Sequence, residues 1–144
     1  MLTIRQTALA DLPYVPKLLA QLGYELAEAE VRRRYEMVVK APGHTLLVAE
    51  QDGGVIGLLH LYVRPALDKP PEVIVQALVV DEAARGRGVG RMLMEVAERW
   101  AGQRGFMSVA LTSHVARAEA HAFYERLGYR IEATSHLMRK KLAG

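Results

Sequence analysis

Cysteine is absent from the 144-residue sequence. Its absence excludes disulfide bonds, metal sites built from thiolates and catalysis by a cysteine nucleophile. Long apolar runs are missing as well: none approaches the roughly 20 residues of a membrane-spanning helix, and residues 1–5 do not begin the apolar stretch of a secretory signal. We therefore expect a cytoplasmic protein with no membrane partner.

Aromatic residues are also few, at 6% of the chain, and the formal net charge is only +3. A nucleic-acid-binding surface combines a basic stripe with interleaved aromatic side chains, so we expect no nucleic acid partner. The modest charge fits a solvated, arginine-rich surface, and it fits a compact basic site for an acidic small molecule equally well. The length and the hydrophobic share of 51% are those of one globular domain, over residues 1–144.

Apolar periodicity and turn residues divide the chain into strands and helices. Asp11 is placed to cap a helix that Gly23 ends, and Gln-Asp-Gly-Gly at 51–54 is a hairpin signal. The order β-α-α-β-β-β-α-β-α-β-β predicts an α/β domain with a mixed sheet. The predicted strands are 3–5, 44–50, 55–63, 72–80, 107–112 and two within 129–142, and the predicted helices are 11–22, 27–39, 88–104 and 116–127.

A glycine-rich turn follows the apolar strand 72–80 and opens a long helix. It presents unpaired backbone N–H groups and the positive helix end to an anion, and its glycines let a phosphate approach the backbone closely. Three arginines can pair with phosphate oxygens. The turn therefore predicts a pyrophosphate site, with an ordinary tightly packed strand–helix turn as the alternative. Its residues are Arg85, Gly86, Arg87, Gly88, Val89, Gly90 and Arg91.

The spacing of the glycines narrows the class of pyrophosphate-containing ligand that the turn can bind. A Walker A loop needs Gly-Lys-Ser/Thr, which the sequence lacks. The dinucleotide fingerprint needs a third glycine, where this chain has an arginine or a leucine. The spacing that fits is Arg/Gln-x-x-Gly-x-Gly, filled by Arg85, Gly88 and Gly90.

This turn resembles the acetyl-CoA signature of the GNAT superfamily of N-acetyltransferases. The resemblance implies that acetyl-CoA is the co-substrate, that residues 85–91 hold its pyrophosphate and that Leu78, Val79 and Val80 pair with its pantetheine arm. A backbone N–H near Val79 or Val80 would stabilise the tetrahedral oxyanion. The implied fold is a mixed, mostly antiparallel sheet of about six to seven strands with about four helices, bulged in strand 4 and splayed between strands 4 and 5.

A second motif spans residues 117–129. The motif includes an amphipathic helix, and an ordinary helix that packs its apolar face on the core is the alternative interpretation of these residues. It resembles the GNAT pattern Asn-x-x-Ala-x-x-Phe/Leu-Tyr-x-x-x-Gly-Phe/Tyr, which implies that Tyr124 protonates the departing CoA thiolate and that Phe123 lies in the co-substrate site. Arg117 replaces the usual asparagine, and it can bind the substrate or a CoA phosphate. Arginine at this position resembles a subgroup that includes aminoalkylphosphonate and some aminoglycoside acetyltransferases.

The general base is the weak point of the resemblance. An attacking amine must lose a proton, and the strand-4 glutamate common in the family is Ala77 here. His114 is the preferred substitute because it follows a strand's carboxyl end, where ligands gather in open α/β sheets and because histidine titrates near neutral pH. His60, Glu72, Glu25 and a water chain are alternatives. Nothing shows metal-ligand spacing, so we expect no metal.

The sequence thus predicts an enzyme that moves an acetyl group from acetyl-CoA to a primary amine of a small molecule, by direct attack in a ternary complex. A protein acceptor, or a module that senses acyl-CoA without turnover, are the alternatives. The arginines at 32–34 favour an acidic acceptor and Glu25 a polycation. The resemblance also implies a homodimer.

Overall fold

The computed structural model describes residues 1–143, which form two compact units divided after Thr112. The first unit contains a five-stranded sheet in the order β1-β2-β3-β4-β5. Its elements are β1 (Leu2–Gln6), a 3-10 helix (Leu9–Tyr14), α1 (Val15–Gln21), α2 (Glu28–Lys40), β2 (His44–Gln51), β3 (Gly54–Arg64), β4 (Glu72–Val80), a 3-10 turn (Glu82–Ala84), α3 (Val89–Gln103) and β5 (Val109–Leu111). The second unit contains α4 (Ala118–Arg126).

The sheet is mixed and mostly antiparallel, as the sequence predicts. β1 to β4 pair antiparallel with their neighbours, and only β4 and β5 run parallel. None of the helices in residues 1–143 has the length and apolarity to cross a bilayer.

The predicted strand count of six to seven is wrong by the two strands expected within 129–142. The described part of this segment, up to residue 143, contains no strand, and residues 130–143 are exposed. A strand is stable only when a neighbour pairs its backbone groups and one of its faces is buried. Tyr129, Ile131 and Ala133 alternate with polar residues as a strand would, but none of the five strands of the described sheet pairs with this segment.

The role predicted for Asp11 also needs correction. The chain becomes helical at Leu9, so Asp11 lies inside the first turn rather than at the helix cap. Its carboxylate reaches back and accepts the Ala8 N–H at 2.7 Å, and it forms two 2.8 Å hydrogen bonds with the Arg5 guanidinium. A buried carboxylate with these partners satisfies an otherwise free helix donor from within the turn.

The two faces of the sheet are covered by different helices. Leucines and valines of the 3-10 helix and α1 pack with Leu58 and Val79 on one face. On the other face α3 approaches very closely, because a Cβ at Gly57 would lie 3.1 Å from Leu93 Cδ1. Gly57 is thus the position where β3 gives room to α3.

β4 contains a bulge at Gln76. The register runs from His60–Ala77 to Leu61–Val75, so Gln76 has no partner of its own on β3. A bulge bends a strand and increases its twist. The parallel pairing with β5 ends at Val75, directly before the bulge.

Because of the bulge, odd-numbered side chains of β4 lie on both faces of the sheet. Val75 pairs with Leu61 and Val79 with Leu58, and these two β3 residues point to opposite faces. Val79 therefore packs under α1, while Val75 faces the α3 layer, although both side chains are at odd positions. The predicted bulge and the opening between strands 4 and 5 are both present.

Candidate active site

Residues 76–80 of β4 form an open edge, since no strand in residues 1–143 continues the β5 pairing beyond Val75. The Asp81 N–H donates to the Ile56 carbonyl of β3 at 2.8 Å. Backbone groups of successive strand residues point to opposite edges. Leu78 and Val80 therefore direct their N–H and C=O groups to the open edge, while the Val79 side chain lies in the core.

The glycine-rich turn lies directly beyond this edge. Gly86 and Gly88 both have φ of +81°, a left-handed conformation that glycine adopts without strain. Gly88 is the N-cap of α3 and supplies no side chain, so the first N–H groups of this 15-residue helix have no side-chain cap. An uncapped N-terminus with glycine backbone around it can bind an anion such as a phosphate.

Arg85 is not aimed at an anion in this structure. Its Nε–H donates to the Val80 carbonyl at 3.0 Å, and Nη2 lies 3.4 Å from the Gln21 side-chain oxygen. Arg87 and Arg91 are exposed and form no ion pair among the described residues. Of the three predicted arginines, these two are available for a phosphate, while Arg85 ties the turn back to β4.

Gln21, the last residue of α1, holds the start of the turn, and sequence reasoning missed it. Its amide Nε2–H donates to Asp81 Oδ1 at 3.0 Å, and its Oε1 accepts the Glu82 N–H at 2.9 Å. The Gln21 hydrogen bond, aided by Lys17 at 3.7 Å, lowers the pKa of Asp81 below its ordinary value. A glutamine that bonds across 60 residues leaves no local pattern in the sequence.

A histidine pair lies beside the start of the open edge. His60 is the register partner of Ala77. His60 Nε2 and His44 Nδ1 are 2.9 Å apart, and the His44 ring stacks on Tyr62. Burial, and then the neighbouring His44, lower the pKa of His60 to about 4, so its imidazole is neutral at pH 7.

The acidic alternatives for the base are differently placed. Glu72 is 3.3 Å from the Arg64 guanidinium and accepts the Ser108 hydroxyl at 2.7 Å. Glu25 is exposed beyond the end of α1. An ion-paired carboxylate is a poorer proton acceptor than a free one, so the surroundings of Glu72 favour a structural role.

The second unit holds Tyr124 and its aromatic neighbours. The Tyr124 ring meets Phe123 edge-on at 5.0 Å and Tyr129 at 5.9 Å between centroids. Burial raises the pKa of the Tyr124 phenol above its ordinary value, and Arg117 opposes this in part. The phenol is therefore fully protonated at neutral pH and can act as a proton donor.

His114 lies in the same unit, in the turn before α4. Its Nδ1 accepts the Ala116 N–H at 3.1 Å, and its carbonyl is bonded to the His121 ring. Because Nδ1 is an acceptor, the neutral ring carries its proton on Nε2. His114 can accept a further proton only when the Ala116 contact opens.

The arginines of α2 are partly occupied. Glu30 bonds both Arg33, at 2.6 Å, and Arg34, at 2.8 Å. Arg32 is exposed and has no ion pair among the described residues. In residues 1–143, no three His, Asp or Glu side chains are placed to hold a metal ion.

Comparison with known proteins places this arrangement in context. The model of the acetyltransferase (GNAT) family matches residues 10–129. An uncharacterized N-acetyltransferase of Bacillus subtilis (strain 168) is 29% identical over 124 residues, 85% of this chain and 86% of that protein. An aminoalkylphosphonate N-acetyltransferase of Salmonella typhimurium is 33% identical over 84 residues, 58% of this chain and 54% of that protein. The solved structure of a transcriptional regulator from Bacillus halodurans C-125 has a TM-score of 0.88 and 25% identity, and covers 97% of this chain and 100% of its own.

Proposed function

Because the chain belongs to the acetyltransferase (GNAT) family and uses acetyl-CoA, we propose that it acetylates the primary amine of a small molecule by direct attack in a ternary complex. The observation that carries this proposal is the continuity of the site in the first unit. The open edge of β4 is followed along the chain by the short turn Glu82–Ala84 and then by the glycine-rich turn with the uncapped N-terminus of α3. An extended thioester and its pyrophosphate need these two features, in this order.

Acetyl-CoA would lie along the first unit from the edge to the turn. The pyrophosphate would accept hydrogen bonds from the N–H groups of residues 86–90, with Arg87 and Arg91 adding charge. The pantetheine would pair with the backbone groups of Leu78 and with the Val80 N–H, which point outward, while the Val80 carbonyl is bonded to Arg85. In that position the Val80 N–H is a donor for the oxyanion that forms when the amine attacks. Arg85 would position the turn rather than contact phosphate.

The second unit would supply the general acid. The Tyr124 phenol, kept protonated by burial, would give its proton to the CoA thiolate as the C–S bond breaks. Phe123 would support the ring of Tyr124, and Arg117 would bind the substrate or a CoA phosphate. His114 as general base stays a prediction, since its Nδ1 is occupied by Ala116.

A small acceptor is favoured by the relatives. The Salmonella relative is named for an aminoalkylphosphonate acceptor, and Arg32 is an exposed cation on α2. An acceptor that carries an acid is therefore the first class to test. We further propose that residues 1–144 act as one domain in a cytoplasmic homodimer, in keeping with the absence of cysteine and with the family resemblance.

The test is thiol release from acetyl-CoA with aminoalkylphosphonates, aminoglycosides, polyamines, amino acids and short peptides. We expect turnover with one class, and a loss of about 10²- to 10⁴-fold in kcat for Tyr124→Phe, with acetyl-CoA binding unchanged. Tyr129→Phe is the matched control, because it removes a hydroxyl from the neighbouring ring and should leave kcat near wild type. Equal losses in both variants would show that the aromatic packing, rather than the Tyr124 proton, was responsible.

The rival is a module that binds acyl-CoA without turnover. The alanine at position 77 favours it, and the similar Bacillus halodurans structure is named a transcriptional regulator. Such a module would be stabilised against heat by acetyl-CoA yet release no thiol with any amine. Failure of acetyl-CoA to bind at all would refute both readings.

A further inference from the structure

The His44–His60 pair is a polar cluster that acetyl-CoA binding alone does not explain. Two imidazoles share one hydrogen bond of 2.9 Å on the sheet face that also carries the apolar cluster of Leu58 and Val79. Burying polar rings there is unfavourable unless they have a partner. Within residues 1–143, His44 is the hydrogen-bond partner of His60, which leaves His60 Nδ1 without one.

The position of this pair relates it to the open edge of β4. His60 is paired with Ala77, the first residue after the bulge, and the open edge continues through Leu78 to Val80. Side chains of directly opposed residues lie roughly 5 Å apart. The methyl group of Ala77 is small, so β4 places no larger side chain opposite the imidazole.

His44 provides a route from this position to the protein surface. It is half-buried, and it lines an open pocket of about 140 Å³ together with Gln6, Thr7, Val38, Val39, Thr45 and Leu46. A proton that reaches His44 can therefore leave toward solvent without crossing the apolar layer under α1.

We propose that His60 is the group that takes the proton from the attacking amine and that His44 passes it on, an inference that rests on the proposed acetyl transfer. As the amine nitrogen bonds to the thioester carbon, one of its N–H bonds breaks and His60 Nδ1 gains that proton. The His60 Nε2 proton moves to His44 Nδ1, and the His44 Nε2 proton leaves to solvent. The C–S bond then breaks, the sulfur takes its proton from Tyr124, and the tyrosine regains a proton from solvent, so that one proton in total moves from the amine to the thiol.

The protonation state of His60 agrees with a relay. Burial and His44 lower its pKa to about 4, so its ring is neutral at pH 7 and, once protonated, does not retain the proton but passes it to His44. The titratable groups near it are His44 from β2 and Tyr62 on its own strand, while β4 contributes the apolar Ala77 opposite it. No carboxylate is paired with either ring in the described structure.

Two of the other candidates are less free to accept a proton. Glu72 is engaged by Arg64 and Ser108, and the lone pair of His114 Nδ1 is used by Ala116. His60 is the histidine whose second nitrogen is both uncommitted and on the strand paired with the open edge.

The experiment compares kcat of the wild type with His60→Gln, His44→Asn, His114→Gln and the exposed control His136→Gln, at saturating acetyl-CoA and amine. We expect His60→Gln to lose about 10²-fold or more, as removal of a general base does, with unchanged acetyl-CoA binding. Added imidazole should restore part of the activity of His60→Ala, an effect that a purely structural histidine would not give.

The pH profile of kcat provides the second readout, since it reports groups in the bound complex. The wild-type profile should lose activity only as the pH falls toward about 4, where His60 becomes protonated. His44→Asn keeps a hydrogen-bond partner for His60 but removes the imidazole that helps to lower the pKa of His60. The acidic limb should therefore move to higher pH in this variant, and this measurement stands even if His60→Gln fails to fold.

The outcomes separate this inference from the function beneath it. A wild-type enzyme that turns over, with His60→Gln within threefold of it or with the loss in His114→Gln instead, would overturn the histidine relay alone. An unmoved acidic limb in His44→Asn would also overturn it. A wild type that binds acetyl-CoA but acetylates no amine would refute the proposed function and the relay together.

Discussion

Replacing Gly88 by alanine should weaken acetyl-CoA binding without filling any space. Gly88 has φ of +81°, and an added Cβ would meet nothing within 4 Å. The effect is therefore conformational: a left-handed alanine costs about 1–2 kcal/mol. That energy corresponds to a factor of roughly 5–30 in a conformational equilibrium. Because the turn is exposed and free to relax, we expect KM for acetyl-CoA to rise by about that factor.

Gly105→Ala is the matched control for this change. Gly105 lies just beyond the other end of α3, has φ of +83°, and also has open space around its Cα. It carries the same conformational penalty, about 1–2 kcal/mol, but lies outside the proposed site. The assay is thiol release at varied acetyl-CoA, together with urea unfolding of each variant. We expect the free energy of unfolding of each variant to fall by no more than this penalty of about 1–2 kcal/mol. Only Gly88→Ala should raise KM for acetyl-CoA.

Two results would refute the reasoning. An unchanged KM in Gly88→Ala would show that the left-handed turn is not required for binding. An equal rise in KM for both variants would show that general loosening of α3, rather than the shape of the turn, controls affinity.

Two further predictions concern the support of the site. Gln21→Ala removes the contacts with Asp81 and with the Glu82 N–H. This variant should raise KM for acetyl-CoA more than it lowers kcat. Gln21→Glu, whose carboxylate repels Asp81, should not restore the wild-type KM. Asp11→Asn should lower the free energy of unfolding by about 2–3 kcal/mol at neutral pH. Arg5 lowers the pKa of Asp11. The stabilisation by Asp11 is therefore present above the pKa of this carboxyl in the unfolded chain, and it is lost as the pH falls through the pKa in the folded protein. If the stability of the wild type and of Asp11→Asn fell identically in acid, this prediction would be wrong.

The sequence alone predicts those elements whose conformation is determined by residues that are close together in the chain. The hairpin between β2 and β3 follows from Asp52 and Gly53, which adopt φ of +53° and +80°. The amphipathic spacing of α3 predicts that Leu93, Val96, Ala97 and Trp100 face the core; Leu93 and Ala97 are fully buried, and Val96 and Trp100 are half-buried. The glycine turn was recognisable because its spacing distinguishes it from other phosphate-binding loops.

Contacts that depend on register or on distant partners were beyond such reasoning. The pairing of His60 with His44 requires the β2–β3 register, which a single misplaced turn residue would shift. The C-terminal strands failed for the same reason, because a strand pattern does not specify the neighbour that must pair with it. The hydrogen bonds of Arg85 with Val80 and Gln21 could not be predicted from the motif, because the motif specifies only the spacing of residues along the chain.

The open edge of β4 has a consequence for the handling of the protein in solution. Unpaired strand edges are sites where a second chain can add and begin aggregation, and the backbone groups of Leu78 and the N–H of Val80 are such groups. A bound pantetheine would occupy these groups and act as a protective cap on the sheet. The empty enzyme should therefore be the form that associates edge to edge on storage, and its co-substrate should serve as its stabilising additive.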